Sequence, residues 1–288
     1  MEILPGTLYL VGTPIGNLSD FSPRAVEVLS GVSFVAAEDT RVAVKLLNHF
    51  SIKKPLVSYY EHNLRERGAE ILARLRAGES CALVSDAGMP AISDPGEDLV
   101  RQCREGGVGV YAVPGPTAVT TAVALSGLPS GRFTFEGFLS TAKKSRAEHL
   151  REIVGERRTM VFYEAPHKLR ATLHDLCETL GGSRRIAVCR EITKLYEQTL
   201  FTTLLEAAAH FDEQPPKGEF VLVIEGAPAP AEAPPDEDAL VGQVRELTAG
   251  GVSRSEAVKT VAKRAGVPKN QLYALCLQRD AIEKEDRP

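Results

Sequence analysis

At 288 residues the chain has room for about two domains and an appendage. With 43% apolar residues it fills an ordinary globular interior, and its formal charge of −4 excludes a globally basic nucleic-acid binder, so any such contact must come from local basic clusters. No stretch approaches the ~20 apolar residues of a membrane span, and residues 1–5 lack the basic start and apolar core of a signal peptide. Cys81, Cys103, Cys177, Cys189 and Cys276 are scattered, with no CxxC or HExxH spacing. They are expected to be reduced thiols in a cytoplasmic protein without a zinc site.

An apolar strand over 8–11 runs into Gly12, Thr13, Pro14, Ile15, Gly16 and Asn17. Ser22 and Pro23 supply an N-cap and a first-turn proline for a helix to about Leu29. A strand over 32–36 ends at Glu38, Asp39, Thr40 and Arg41, and a helix follows to about His49. A third strand over 55–58 leads through Glu61, His62 and Asn63 to an amphipathic helix over 63–77, with Ile71, Leu72 and Leu75 inward. The strand over 81–84 enters Ser85, Asp86, Ala87, Gly88, Met89 and Pro90, and a helix starts at 94–96. The strand over 108–113 enters Pro114, Gly115, Pro116, Thr117 and Ala118, and a helix spans 117–126. This alternation argues for a mostly parallel sheet covered on both faces. Ligands of such sheets sit outside the carboxyl ends of the strands. Three Gly/Pro loops at that edge imply a floor that grips a small molecule through backbone. Asp86 either accepts from a ribose hydroxyl or ammonium group of the ligand, or closes its own turn. The polar groups at 38–41 and 61–63 either line a cleft or cap helices, with Thr40 and Asn63 as the cap residues.

The segment 127–131 breaks the pattern, so a first domain over 1–126 gives way to a second over 127–226. Its strands are expected at 159–163, 185–189 and 220–225, with an antiparallel one over 195–201, and its helices at 146–154 and 167–180. Phe162, Tyr163 and Glu164, with Arg190 and Glu191, end two of those strands and form the far wall of an interdomain cleft, or else solvated ion pairs. Lys143, Lys144 and Arg146 lie in a basic loop that would meet phosphates if the substrate is polyanionic. A stiff linker with four prolines spans 227–235. The unit 236–288 reads as three helices, over 236–247, 253–265 and 268–281. Ser253 and Glu256 sit in capping-box positions, and Gly266 makes a helix-turn-helix-like joint. Residues 251–279 hold six Lys/Arg against one acid, a local charge of +5.

Phosphate-gripping patterns are absent: Gly12 and Gly16 do not complete GxGxxG, and no GxxxxGK[ST] exists. Taken in order, the loops at 12–17, 37–41, 85–96 and 114–118 resemble the tetrapyrrole methylase superfamily. With 136–139, 162–164, 190–194 and 217–219 they resemble, within it, the branch of ribosomal RNA small-subunit methyltransferases, over about 7–226. The resemblance implies an α/β fold: two domains of that type with the active site in the cleft between them, plus a small helical unit. It implies S-adenosyl-L-methionine as donor, no metal, and a homodimer. The implied reaction is 2′-O-methylation of a cytidine in the decoding region of 16S rRNA, presented as RNA or as the small ribosomal subunit. By carry-over, Ile15, Asp86, Met89, Pro114, Gly115, Thr117, Ala118, Phe162 and Tyr163 fall on the donor side. Thr13, Arg41, Asn63, Lys143, Lys144 and Arg146 fall on the substrate side. The ribose hydroxyl needs a proton acceptor, for which His62 and Asp39 are candidates, with Glu164 behind them. The alternatives are methylation of a tetrapyrrole or corrin precursor and a non-catalytic RNA-binding protein using the helical unit. A Rossmann-type oxidoreductase is opposed by the failed fingerprint.

Overall fold

The structure, a computed structural model, describes residues 2–229 and 236–285. The chain divides into two compact units, 1–228 and 229–288. Most of the linker expected over 227–235 lies outside the described residues.

Five strands, β1 (Thr7–Val11), β2 (Phe34–Ala37), β3 (Leu56–Ser58), β4 (Cys81–Val84) and β5 (Gly109–Val113), form a sheet in the order β3-β2-β4-β1-β5. Every pair in it is parallel. Helices α1 (Pro23–Gly31) and α2 (Thr40–His49) cover one face through Val28, Leu29 and Leu47. Helices α3 (Leu64–Arg76) and α4 (Glu97–Glu105) cover the other through Ile71, Leu75 and Leu99. Burial of β1, β2 and β4 on both faces is why they read as continuous apolar runs rather than alternating ones, while the edge strand β5 leaves Gly109, Tyr111 and Ala112 exposed. The cap of α2 is Asp39, whose Oδ1 accepts from the Arg41 backbone N–H at 2.8 Å, and not Thr40.

A second sheet holds β6 (Phe133–Phe138), β7 (Thr159–Glu164), β8 (Arg185–Arg190), β9 (Gln198–Thr203) and β10 (Phe220–Ile224), in the order β6-β7-β10-β8-β9. β6 runs parallel to β7, while β10 is antiparallel to both β7 and β8, and β9 to β8. Helices α6 (Lys143–Ile153), α7 (Pro166–Leu180) and α8 (Leu204–Glu213) cover its outer face. Sequence pattern misses β6 and α8. β6 is aromatic and interrupted by a bulge at Gly137, whose φ is +66°. α8 follows β9 with no loop to announce it, started by a capping box between Thr203 and Glu206. The inner face packs on α5 (Ala118–Ser126): Val119, Ala122 and Val123 meet Val161, Ala187, Val221 and Val223.

The three loops at the carboxyl edge of the first sheet interlock. Thr13 and Gly88 exchange backbone hydrogen bonds at 2.9 and 3.1 Å. A Cβ on Gly12 would lie 2.7 Å from Gly115 Cα, and one on Gly115 would lie 2.8 Å from Gly12 C. Gly115 is therefore spent on packing the loops together, not on leaving room for a ligand.

In the second unit α9 (Glu237–Ala249), α10 (Arg254–Ala265) and α11 (Lys269–Glu285) enclose Leu240, Val244, Val258, Val261, Leu272 and Cys276. The local charge of +5 is smaller in space than along the chain. Arg254 pairs with Asp280, as does Arg245 at 2.9 Å, and Arg279 with Asp238 at 2.8 Å. Lys263 and Arg264 have no ion-pair partner among the described residues. No helix among the described residues is long and apolar enough to cross a membrane.

The loop interlock gives a stability test. Gly115→Val forces a branched side chain into backbone that cannot rotate away. It should destabilise the fold by about 1–3 kcal/mol or more, seen as a lower midpoint in thermal unfolding without any ligand. An unchanged midpoint would mean that the loops part freely.

Candidate functional site

A cavity of about 630 Å³ opens between the two sheets. The loops after β1 and β4 supply Ile15, Gly88, Met89 and Asp94, and the first turn of α5 supplies Thr117, Ala118 and Val119. The second sheet supplies Phe135, Phe138, Tyr163, Glu164 and Glu219. The Tyr163 ring lies 5.0 Å from Phe135 and 5.5 Å from Phe138, centroid to centroid, making an aromatic wall. The lining residues also include Asp94, Glu164 and Glu219, of which Glu164 turns its carboxylate to Thr172 on α7 and Glu219 is paired with Lys194 at 2.9 Å, and none of the described lining residues is Lys, Arg or His. Such a site favours a flat apolar group joined to positive charge, and disfavours a diphosphate. The N–H groups opening α5 add one place for a carboxylate.

Glu164 is buried and held at both carboxylate oxygens. Its Oε1 accepts from the Ala165 N–H at 2.8 Å, and its Oε2 accepts from Thr172 Oγ1 at 2.5 Å. Thr172 in turn accepts from Arg146 at 3.0 Å, and Arg146 donates to Asp175 at 2.6 Å. Arg146 thus belongs to the scaffold behind Glu164 and is not free to meet substrate. Lys143 and Lys144 are exposed in the first turn of α6, which starts where a loop was expected. Cations there run against the helix dipole, so they do not stabilise α6.

The loop holding Met89 and Asp94 is strained. Ala91 and Ser93 have φ of +68° and +60°, unusual for residues with a Cβ. Asp94 and Asp86 both titrate above their ordinary range because of burial. Beside them stands Glu38, at the end of β2. Burial first, then the Asp94 and Asp86 carboxylates, push its carboxyl up to about 7. Its neighbour Asp39 behaves oppositely. Hydrogen bonds donated by the Arg41 side chain first, then by its backbone N–H, hold it at about 2. The signal for Glu38 was in the sequence: Asp is a good N-cap and Glu is not, so in Glu38-Asp39 only the second carboxylate is committed.

Of the expected donor residues, Ile15, Met89, Thr117, Ala118 and Tyr163 line the cavity. Phe162 does not: alternation along β7 turns its ring into the core beneath α6 and α7, where it is fully buried. Asp86 stands off the cavity and accepts from the Asp39 N–H at 3.2 Å. Gly115 belongs to the interlock with Gly12, and neither it nor Pro114 is among the lining residues. Of the expected substrate residues, Thr13 is 1% exposed and its hydroxyl donates to the Ser85 carbonyl at 3.2 Å, so it is a clip between loops. Asn63 makes no cap. Its amide accepts from the Tyr60 N–H at 2.9 Å and donates to the Ser58 carbonyl at 3.1 Å, shaping the turn before α3. Arg41 is exposed but paired with Asp39 at 2.6 Å. His62 is exposed, edge-on to Tyr60.

Residues 7–208 match the family described as Tetrapyrrole (Corrin/Porphyrin) Methylases. The chain is 50% identical over 277 residues to the ribosomal RNA small subunit methyltransferase I of Synechocystis sp., covering 96% of this chain and 99% of that one. It is 47% identical over 221 residues to the protein of the same name from Thermotoga maritima, covering 77% of this chain and 99% of that one. In fold it is similar to the uroporphyrin-III C-methyltransferase of Thermus thermophilus complexed with S-adenosyl homocysteine. The TM-score is 0.53 at 19% identity, over 76% of this chain and 97% of that one.

The raised Glu38 carboxyl makes stability depend on pH. A carboxyl with a folded value near 7 against an ordinary 4.5 favours the fold while protonated, and that advantage is lost as pH rises through 7. Glu38→Gln should therefore melt higher than the parent at pH 8 and alongside it at pH 5. A gap that does not change with pH would show that Glu38 is not desolvated.

Proposed function

The chain belongs to the tetrapyrrole methylase family, among the relatives called ribosomal RNA small subunit methyltransferase I, and on that footing we propose that it methylates the ribose 2′-hydroxyl of a cytidine in the decoding region of 16S rRNA, with S-adenosylmethionine as donor. The observation that supports the donor best is the cavity itself, with an aromatic wall, the Asp94 carboxylate and no described cation among its lining residues. S-adenosylmethionine, when bound, supplies a methyl group on a cationic sulfur. Phe135, Phe138 and Tyr163 would hold its flat base. Asp94 would receive its positive charge, and the first turn of α5 its carboxylate. Glu164, held by Thr172 on the α7 side of β7, and Glu219, paired with Lys194 at 2.9 Å, serve the wall rather than the ligand.

On the substrate side Lys143 and Lys144, a few residues beyond Phe138, are read as phosphate contacts. The proton acceptor is read as Glu38. Its carboxylate takes the 2′-hydroxyl proton as the oxygen becomes nucleophilic, and a value near 7 suits that task at neutral pH. Asp39, held low by Arg41, is a weaker base, and Glu164 already accepts two hydrogen bonds. The second unit is read as an accessory RNA grip through Lys263, Arg264 and Lys269, the cations its own acids leave exposed. The Thermotoga relative, which covers 77% of this chain, lacks a counterpart for a share close to that of this unit. The protein is read as a homodimer, for which exposed Leu195, Tyr196, Phe201 and Leu205 along β9 and its flanks offer an apolar face.

Nucleoside mass spectrometry of 16S rRNA from cells with and without the protein tests the reading. Loss of 2′-O-methylcytidine is expected, and an unchanged nucleoside profile would overturn it. Calorimetry should give saturable binding of S-adenosylmethionine and no binding of NAD.

Glu38→Gln should lower kcat by about 10²–10⁴ with donor affinity within twofold, while His62→Ala stays near the parent rate. A His62→Ala enzyme as crippled as a base knockout would move the proton to His62.

Reversing Lys263, Arg264 and Lys269 to Glu should raise KM for the RNA and flatten its salt dependence without touching donor affinity. An unchanged salt slope would make the second unit a packing element.

A further inference from the structure

The second sheet has two ends, and the cavity uses only one. Strands β6, β7 and β8 all point the same way, because β6 is parallel to β7 and β10 is antiparallel to both β7 and β8. Their starting ends and the finishing end of β10 therefore meet at the edge away from the cavity. At about 3.3 Å per residue, six residues of β6 or β7 put roughly 20 Å between the two ends. Each strand start there carries arginine. Arg132 precedes β6, Arg157 and Arg158 precede β7, and Arg184 and Arg185 begin β8.

These side chains surround a groove of about 1230 Å³, whose lining includes Arg132, Arg157, Arg158 and Arg184. Its floor is rigid. Gly226 runs so close to β7 that a Cβ there would lie 2.1 Å from the Arg157 carbonyl oxygen, and the Ala227 N–H donates to the Glu156 carbonyl at 2.6 Å. The two carboxylates of the groove are already engaged, Glu156 by Arg158 at 2.6 Å and Glu225 by Arg185. The Arg158 hydrogen bond holds the Glu156 carboxyl at about 2, so that pairing persists at any working pH. Arg184 donates to two backbone carbonyls, Leu180 and Glu225, and has no ion-pair partner among the described residues, though the Glu225 carboxylate lies near enough to feel its charge. Arg132 and Arg157 are exposed and have no hydrogen-bond or ion-pair partner among the described residues. Five guanidiniums against two carboxylates make a positively charged recess in a chain whose formal charge is −4.

We infer that this groove is a second RNA-contact site, in which Arg132 and Arg157 bind backbone phosphates of the substrate RNA well away from the nucleotide being modified. Guanidiniums match phosphate oxygens in pairs, and contacts of this kind position a nucleic acid without reading its sequence. The inference rests on the reading of RNA as substrate.

Both arginines are exposed, so Arg132→Ser/Arg157→Ser should fold as the parent does. Filter binding of a 16S rRNA fragment across a KCl series is measured alongside methyl transfer and donor affinity. The expected result is binding weakened about tenfold at moderate salt and a salt slope shallower by about 1.4–1.8. Donor affinity and kcat at saturating RNA should not change, and Arg132→Lys/Arg157→Lys should recover most of the slope. Binding and slope equal to the parent would overturn the inference. So would a loss confined to inorganic phosphate or pyrophosphate with RNA binding intact, which would make the groove a small-anion site. If the parent bound RNA through these arginines yet methylated none, the proposed reaction would fall and the groove would stand.

Discussion

The structure depends on backbone touching backbone at the carboxyl edge of the first sheet. β1 lies between β4 and β5, so the loops that follow these three strands are neighbours whatever their side chains. The Thr13–Gly88 backbone pairing and the contact of Gly12 with Gly115 lock them, with the Thr13 hydroxyl as an added clip. That rigidity sustains two left-handed non-glycine residues, Ala91 and Ser93, at about 1–2 kcal/mol each. It also holds Met89 and Asp94 in the cavity wall. A looser edge would relax the strained loop and lose the wall.

The second constraint is α5. By chain order it closes the first sheet, yet its apolar residues pack under the second. The helix that follows the first sheet thus lies under the second, and its first turn opens on the cavity. The aromatic wall arrives from β6 and β7, where alternation sends Phe135 and Tyr163 inward and Phe162 into the core.

Charge is sorted by place. Carboxylates gather at the cavity and at the Glu38, Asp86 and Asp94 group, where burial raises their titration. Arginines divide into two sets. Arg146, Arg254 and Arg279 are committed to Asp175, Asp280 and Asp238 and hold elements together. Arg132 and Arg157, with Lys143, Lys144, Lys263 and Arg264, stay on the surface. Counting charges along the chain cannot separate these sets, because the partner of each structural arginine lies on another helix.

Much was legible from the sequence because much of it is local. The helix starts at Ser22 and Ser253, the glycine stop at Gly266, the parallel strands and the three edge loops all follow from short-range sterics and hydrogen bonding. The family resemblance added which loops were expected to face a donor, and of the residues it pointed to, Ile15, Met89, Thr117, Ala118 and Tyr163 line the cavity. Tertiary structure decided the rest, for reasons no local rule contains. Thr13 became a clip because the β4 loop lies against it, and Arg146 became scaffold because α7 brings Thr172 and Asp175 to it. β6 escaped notice because its bulge breaks the alternation a strand is recognised by. Glu38 differs from Asp39 through burial beside Asp86 and Asp94, charges 48 and 56 residues away along the chain. Sequence determines which groups are present and how each turn begins. Only the fold determines which charges are paired, which are desolvated, and which remain free to act, because those depend on distances between residues far apart in the chain.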